Sequence, residues 1–374
     1  MNGRIRVLMT ADTVGGVFAY AIELASALAQ GGAQIALATM GGPLSPGQQR
    51  AALAVPGLSL FASDYKLEWM DDPWDDVARS GEWLLDLERK LRPDIVHLAS
   101  YAHAARGFQA PAIVVAHSCV LSWWDAVHGE YAPPRYDRYR REVRRGLDTA
   151  AAVVAPTRAM LAALIQHHGP VTRSLVIPHA VDPRRACPGE KEAMIFTLGR
   201  LWDPAKNLAA LASVAERLPW PVRAGGSVVH PDGRTRTLPG LDALGVLAPK
   251  EAARWLARAA IYAQPALYEP FGLAVAEAAL AGCALVLGDL PSLREIWGDD
   301  RAIYVDPRDP DELDHALRFL IRRPGIRAEL GQRARARALE RTPAAMARAH
   351  LELYAGALRG SAPAGASRRS ETCV

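Results

Sequence analysis

Tyr268-Glu269-Pro270-Phe271-Gly272-Leu273-Ala274-Val275-Ala276-Glu277-Ala278 is the stretch on which the reading of this chain turns. An apolar run at 260–264 precedes it and reads as a short buried strand, and from Gly272 the pattern becomes helical. Glu269 therefore falls in a strand-to-helix turn, with Glu277 inside the helix that follows. The backbone N–H groups near Gly272 and Leu273 have no partner at that helix start, and such an end attracts anions. A phosphate docked there would repel a carboxylate directly beside it, so Glu269 is better matched to neutral hydroxyls while cations elsewhere balance the phosphate. That combination describes a nucleotide-sugar site. Two acids at this spacing, taken alone, read more simply as a solvated loop acid and an exposed helix residue.

The rest of the chain sets the frame. At 374 residues it is long enough for two cores, since single domains usually stop growing near about 250 to 300 residues. Half of the residues are hydrophobic and 22% are charged, as in an ordinary soluble enzyme. A net charge of +4 suits an anionic small substrate and gives no argument for nucleic acid. Cys119, Cys187, Cys283 and Cys373 form no CxxC pair, which indicates neither a disulfide framework nor a structural zinc site and favours a reducing cytosol. With no long apolar run at the amino terminus and none approaching ~18 residues later, the expectation is a cytoplasmic protein, neither exported nor integral.

Read in order, the segment 4–10 is a strand, the turn Asp12-Thr13-Val14-Gly15-Gly16 leads into an Ala- and Leu-rich helix at 17–30, and 34–39 is another strand. This βαβ opening predicts an α/β fold with a doubly wound parallel sheet. Gly15 and Gly16 do not complete a GxGxxG fingerprint, and no ribose-binding acid follows the second strand, so nicotinamide dinucleotide binding loses its support. The pair reads equally as a tight turn or as a place where backbone approaches a ligand. The segment 41–79 reads as loops around one short strand, and a helix at 82–91 follows. His117 ends the buried run 112–116, at the strand edge where ligands gather in open α/β sheets. The aromatic segment after it, with Trp123, Trp124, His128 and Tyr131, suits core packing or an acceptor-binding wall. Arg135, Arg138, Arg140, Arg141, Arg144 and Arg145 share one helix. They could make a peripheral contact with anionic lipid at the inner membrane face, but pairing with Asp137 and Glu142 on a solvated face is the simpler reading.

A Pro- and charge-rich connector near 181–191 marks a domain boundary. We expect an acceptor-side domain at 1–181, a donor domain at 182–342, a helix at 343–358 returning to the first, and a disordered tail at 360–374. The second half repeats the opening logic, with a strand at 193–198 whose following turn holds Arg200 and Lys206, two cations able to meet a diphosphate. A short strand near Val246 and a helix precede the acidic motif.

Gly199-Arg200-Leu201-Trp202-Asp203-Pro204-Ala205-Lys206-Asn207, then the acidic motif, then Pro291-Ser292-Leu293-Arg294-Glu295-Ile296 and Tyr304-Val305-Asp306-Pro307 strongly resemble glycosyltransferase family 4 (group 1), retaining transferases of GT-B fold. The resemblance runs from Arg4 to about Leu358. It implies two Rossmann-like domains facing across a cleft and transfer of a sugar from a nucleoside-diphosphate sugar to a hydroxyl of a glycan, lipid or small metabolite. In that scheme Arg200 and Lys206 bind the donor diphosphate, Glu269 holds sugar hydroxyls and Glu277 the ribose. Gly272 and Leu273 offer backbone N–H groups to the donor, and the backbone near Val246 and Leu247 meets the base. Gly16 lies against donor phosphate and acceptor, with Gly15 beside it on the acceptor side, and His117 contacts the transferring sugar. The chemistry implied needs no metal, cofactor or protein nucleophile, because cations and a helix start stabilise the departing diphosphate. Other readings of the same fold are a nucleotide-sugar 2-epimerase or hydrolase and a noncatalytic binding subunit. The chain departs from the family at His179-Ala180-Val181-Asp182, where Asn-Gly is frequent before Val-Asp, and at Gly225-Gly226-Ser227, beside the base pocket.

Overall fold

The computed structural model describes residues 4–360; of the tail expected to be disordered, Gly360 closes a helix and 361–374 lie outside the described residues. The first sheet contains β1 (Arg6–Asp12), β2 (Gln34–Met40), β3 (Leu58–Ala62), β4 (Ile95–Leu98), β5 (Ala112–Val115), β6 (Ala152–Ala155) and β7 (Ser174–Val176). The second contains β8 (Glu192–Leu198), β9 (Val222–Gly225), β10 (Asp242–Ala243), β11 (Ala259–Gln264), β12 (Ala284–Gly288) and β13 (Ile303–Val305). Their orders are β3-β2-β1-β4-β5-β6-β7 and β10-β9-β8-β11-β12-β13. Every ladder within the two sheets is parallel among the described residues, in keeping with the continuous apolar runs of β5, β6 and β12, since helices cover both faces.

In each sheet the chain reverses direction of winding beside its first strand, between β1 and β4 and between β8 and β11. Those are the places where ligands collect in such sheets. The turns after β1, β8 and β11 carry Gly15, Arg200, Lys206 and Glu269, so topology brings all four to two switch points.

The helices of the first half are α1 (Gly16–Gln30), α2 (Pro46–Leu53), α3 (Trp74–Leu91), α4 (Val120–His128), α5 (Asp137–Thr149) and α6 (Arg158–His168). Those of the second are α7 (Leu208–Ala215), α8 (Pro249–Arg258), α9 (Leu273–Leu280), α10 (Pro291–Trp297), α11 (Pro310–Arg322), α12 (Pro324–Leu339) and α13 (Pro343–Gly360). Met346, Ala347 and Tyr354 of α13 are buried in the same core as Met9 of β1 and Leu24 and Leu28 of α1. Helix α13 thus packs into the core of the sheet with which the chain began. No helix among the described residues is long and apolar enough to cross a membrane.

Several local expectations need correction. The strand placed near Val246 is the two-residue β10, upstream, and Val246 is an exposed loop residue. Helix α3 starts eight residues earlier than read, with Asp75 and Asp76 in its first turn favouring that start. The segment read as loops at 41–79 contains α2, capped reciprocally by Ser45 and Gln48. The aromatic segment after His117 is α4. Helix α12 was not anticipated, because it packs through Gly331, Ala334 and Ala338 in place of an apolar stripe. A methyl group on Gly331 would lie 2.5 Å from the Gly282 carbonyl oxygen.

Contacts between the two halves are polar and specific. The Thr157 hydroxyl donates to the Pro270 carbonyl (3.0 Å), while Glu295 of α10 accepts from the backbone N–H groups of Arg158 and Ala159 at the start of α6 (2.9 and 3.1 Å). The Tyr268 hydroxyl accepts from the Cys119 N–H (3.0 Å) and lies 3.0 Å from the Ser122 hydroxyl.

Helix α5 is held close to the loop after β4 by Gly146, where an added methyl group would stand 1.9 Å from the Tyr101 carbonyl oxygen. Gly146→Ala is expected to cost about 2 kcal/mol through forced displacement of α5. Gly356→Ala, in an exposed part of α13, should instead add about 0.5 to 1 kcal/mol. Urea denaturation followed by circular dichroism checks both; equal midpoints for the two variants would contradict this packing.

Candidate active site

The sequence of each switch-point turn explains its shape. After β8, Asp203 caps a short helical turn by accepting from the Ala205 N–H (3.0 Å), and Asn207 then adopts a left-handed conformation (φ 52°) before α7. The intervening Lys206 is thereby aimed at the turn after β11. Its Nζ lies 2.6 Å from Glu269 Oε2, an ion pair whose side chains are 17% and 11% exposed. The structure therefore replaces the simpler reading of Glu269 as a solvated loop acid with a part-buried ion pair. Glu269 is held further by the Gln264 amide (2.7 Å), and Gln264 in turn accepts from the Tyr262 hydroxyl (2.9 Å). The Ser292 hydroxyl donates to the Glu269 carbonyl (2.6 Å), fixing the backbone as well.

Gly272, at φ 87°, turns the chain into α9 in a conformation that a β-carbon disfavours. The first N–H groups of α9 have no partner inside the helix. Directly opposite is the start of α1: a methyl group added to Gly16 would sit 3.2 Å from Leu273 Cδ1, and one added to Gly15 would sit 3.2 Å from Arg200 Nη1. Two helix N-termini and Arg200 therefore meet where the two sheets face each other. Gly15, Gly16, Arg200, Lys206, Glu269, Gly272 and Leu273, singled out from separate parts of the sequence, converge there.

Arg200 is engaged on several sides. Its Nη2 donates to Asp203 Oδ2 (2.7 Å), and its guanidinium lies 5.4 Å from the centre of the Trp202 ring. Burial opposes ionisation of Asp203, but Arg200, Lys206 and the hydrogen bonds from Ala205 and Trp123 together outweigh it and the net shift is downward. Trp123 of α4 reaches across to donate its indole N–H to Asp203 Oδ1 (3.1 Å), so this candidate for an acceptor wall contacts the turn after β8 directly. Trp124 remains in its own half, against His128, Tyr136 and the Arg135 guanidinium. Leu247 Cδ1 would lie 2.7 Å from a methyl on Gly225, so Gly225 is what lets the 246–247 segment approach β9.

Glu277 is part-buried in α9, and burial raises its carboxyl to about 7, with Arg185 acting in the opposite direction. His117 is half-buried after β5; burial lowers it to about 3, and its Nδ1 is 3.2 Å from His179 Nε2. Sequence reasoning missed Asp12, at the carboxyl end of β1, raised to about 7 by burial and by Glu68 nearby. Its position four residues before Gly16 on a strand end was the available signal. Glu68 accepts from the Tyr101 and Ala102 N–H groups (3.0 and 2.9 Å), a role invisible without the fold.

The arginine helix is α5, which begins at Asp137 and so carries five of the six arginines expected on it; Arg135 lies in the short 3-10 turn 134–136 before it, set off by Pro133 and Pro134. Arg144 pairs with Asp148 and donates to the carbonyls of His168 and Pro170, Arg145 pairs with Glu142, and Arg138 covers Trp74. Among the described residues, no group of three or more His, Cys, Asp or Glu is arranged to hold a metal ion.

The family model described as Glycosyltransferase Family 4 matches residues 14–185, and that described as Glycosyl transferases group 1 matches residues 241–337. Together these stretches take in most of the chain. The chain is 31% identical over 142 residues to a D-inositol 3-phosphate glycosyltransferase of Nocardioides sp., covering 34% of this chain and 31% of that protein. It is 30% identical over 185 residues to an MMP alpha-(1->4)-mannosyltransferase of Mycolicibacterium hassiacum, covering 44% of each. The matched stretches thus span less than half the length of either curated relative. Among solved structures, the sucrose-phosphate synthase of Thermosynechococcus elongatus superposes with a TM-score of 0.79 at 16% identity, covering 96% of this chain and 100% of that one. Anabaena HepE, solved in complex with UDP-glucose, gives 0.74 at 15% identity, covering 94% and 100%. At these identities the likeness establishes the fold, which is GT-B.

The raised carboxyl of Glu277 makes a pH prediction with a definite sign. Its folded-state value lies above the ordinary 4.5, so the folded protein binds the proton more tightly and loses stability as pH rises from about 4.5 through about 7. Glu277→Gln removes that term, so its stability relative to the unsubstituted protein should increase between pH 5 and pH 8. Urea midpoints at the two pH values measure it, and a difference that does not change with pH would contradict burial of an ionisable group there.

Proposed function

The chain belongs to the family 4, group 1 glycosyltransferases, and from that premise we propose that it is a retaining transferase moving a sugar from a nucleoside-diphosphate sugar to an acceptor hydroxyl. The observation that carries this reading is the meeting of the α1 and α9 starts with Arg200 and Lys206 in one cleft. Helix N-termini and fixed cations stabilise negative charge best where water is scarce, and the charge that develops in glycosyl transfer is on the departing diphosphate.

In this mechanism Arg200, Lys206 and the Gly272–Leu273 backbone receive the diphosphate. Lys206 then shares its charge between phosphate oxygen and Glu269, leaving the remaining Glu269 oxygen to accept from sugar hydroxyls. Glu277 accepts from the ribose, the segment at Val246 and Leu247 borders the base, and His117 reaches the transferring sugar. Gly15 and Gly16 leave room for acceptor and phosphate to lie side by side. The bond from the anomeric carbon to the diphosphate oxygen breaks as the acceptor oxygen bonds on the same face, and the acceptor proton passes to the departing oxygen. Configuration is thereby retained without a protein nucleophile, and the cations supply the stabilisation that a divalent metal supplies elsewhere.

The UDP-glucose bound in HepE and the D-inositol 3-phosphate in the name of one curated relative suggest where a substrate screen should begin. Lys206→Ala and Glu269→Ala should each lower turnover by about two to four orders of magnitude. Lys206→Ala should also abolish the rise in melting temperature that the matching nucleoside diphosphate produces. Turnover with EDTA should match turnover without it, and the anomeric proton coupling of the product should equal that of the donor. Full activity in either variant sinks the site assignment, and an inverted product sinks the retaining mechanism. A sugar altered while still attached to its nucleotide would identify an epimerase.

A further inference from the structure

Helix α4 is fastened to the second half from its start to its last turn. The Tyr268 hydroxyl accepts from the Cys119 N–H and lies 3.0 Å from the Ser122 hydroxyl. The next residue, Trp123, donates its indole N–H to Asp203 Oδ1 (3.1 Å), and the Ala126 carbonyl accepts from Arg308 Nη2 (2.9 Å). Three successive points of α4 thus meet the donor half, and Trp123 is the middle one. Its partner Asp203 belongs to the same turn as Arg200 and Lys206.

Chemistry fixes the direction of every bond around Asp203. Indole, backbone and guanidinium N–H groups only donate, and Asp203, held below the usual carboxylate range in spite of its burial, only accepts. Its Oδ1 takes the Trp123 N–H and the Ala205 N–H (3.0 Å), and its Oδ2 takes Arg200 Nη2 (2.7 Å). At 2% exposure it has no bulk water to stand in for a lost donor. In so dry a place each bond counts, and donors that share one carboxylate draw on the same charge, so each loosens its hold on the others. Arg200 leans on that carboxylate. Its Nε has no partner among the described residues, and a further contact is the Trp202 ring, centred 5.4 Å from the guanidinium carbon. Asp203 therefore sets where the guanidinium points and how much of its charge remains for a ligand.

We propose that Trp123 is a positioning residue for the diphosphate cation: its indole N–H, supplied by the first half, orients Asp203 and takes up part of its charge, so that Arg200 stays aimed into the cleft and only partly neutralised. Trp123 thus acts on the departing diphosphate at one remove and does not line the acceptor. Its effect on turnover rests on the transferase reading above; the link from Trp123 through Asp203 to Arg200 does not.

The full chain labelled with 15N-tryptophan tests the link without substrate, the Trp123 indole signal being assigned by its loss in Trp123→Phe. That N–H should resonate downfield of a solvent-exposed indole and exchange slowly with water. Asp203→Asn should move it upfield. Arg200→Ala, which strips the carboxylate of its charged partner, should move it further downfield; this side chain is part-exposed, so the arm stands even if Asp203→Asn fails to fold. Release of nucleoside diphosphate from UDP-glucose, GDP-mannose and ADP-glucose, with D-inositol 3-phosphate or water as acceptor, gives the second readout. Trp123→Phe keeps a ring and removes the donor, and should lower kcat about three- to thirtyfold while donor and acceptor KM stay within about twofold. In an Asp203→Asn background the same substitution should change kcat by less than about twofold, whereas a packing role would carry its loss into both backgrounds. An indole signal unmoved by Arg200→Ala, equal losses in the two backgrounds, or a Phe variant altered only in acceptor KM overturns the proposal. Absence of turnover with every donor tells against the transferase reading, and the indole signal then decides the proposal by itself.

Discussion

Two helices starting against each other across a cleft, α1 at Gly16 and α9 at Leu273, form the constraint on which the remainder of the structure depends. Both present positive ends to the same small volume, together with Arg200 and Lys206. Without a negative ligand such an arrangement repels itself, and the protein answers with Asp203 against Arg200 and Glu269 against Lys206. These acids are well anchored. Asp203 has a backbone N–H, an indole N–H and a guanidinium on its oxygens, while Glu269 has an ammonium and an amide sharing one oxygen. A diphosphate entering the cleft would find cations already oriented and only partly neutralised.

The halves are joined so as to keep that geometry. Glu295 holds the start of α6, Thr157 holds the Pro270 carbonyl, and Tyr268 accepts from the backbone before α4. The acidic motif is thus flanked on both sides by bonds to the opposite half, and its Glu269 cannot shift without disturbing them. Helix α13 adds a second restraint, running back to bury Tyr354 beside β4 and donate or accept at His97 (2.7 Å). A cleft braced this way suits a reaction whose catalysis is mostly placement of charge.

Much of this was legible in the residues. Apolar runs of four to seven residues ending in Gly, Pro or charged turns located most strands, and the cations and acids after β8 and β11 were recognisable because a strand end and its turn are contiguous in sequence. Elements whose burial is carried by small residues escaped notice. Helix α12 packs Gly331 onto a backbone carbonyl, and α2 buries only Ala52, so neither shows an apolar stripe. The capping pair Ser45 and Gln48 was the readable signal for α2. The strand misplaced at Val246 followed from taking a short apolar run as buried, when Val246 is 78% exposed and only its neighbour Leu247 packs inward.

The sequence by itself determined the α/β class, the two winding units, the cationic and acidic turns and the family, because each depends on patterns within a few residues. Tertiary structure alone decided which charges meet and which histidines lose theirs. Lys206 and Glu269 are 63 positions apart, Trp123 and Asp203 80, and Tyr20 and His350 330. Whether such residues touch is set by sheet order and domain approach, and whether an imidazole or carboxyl is charged is set by the water those contacts exclude.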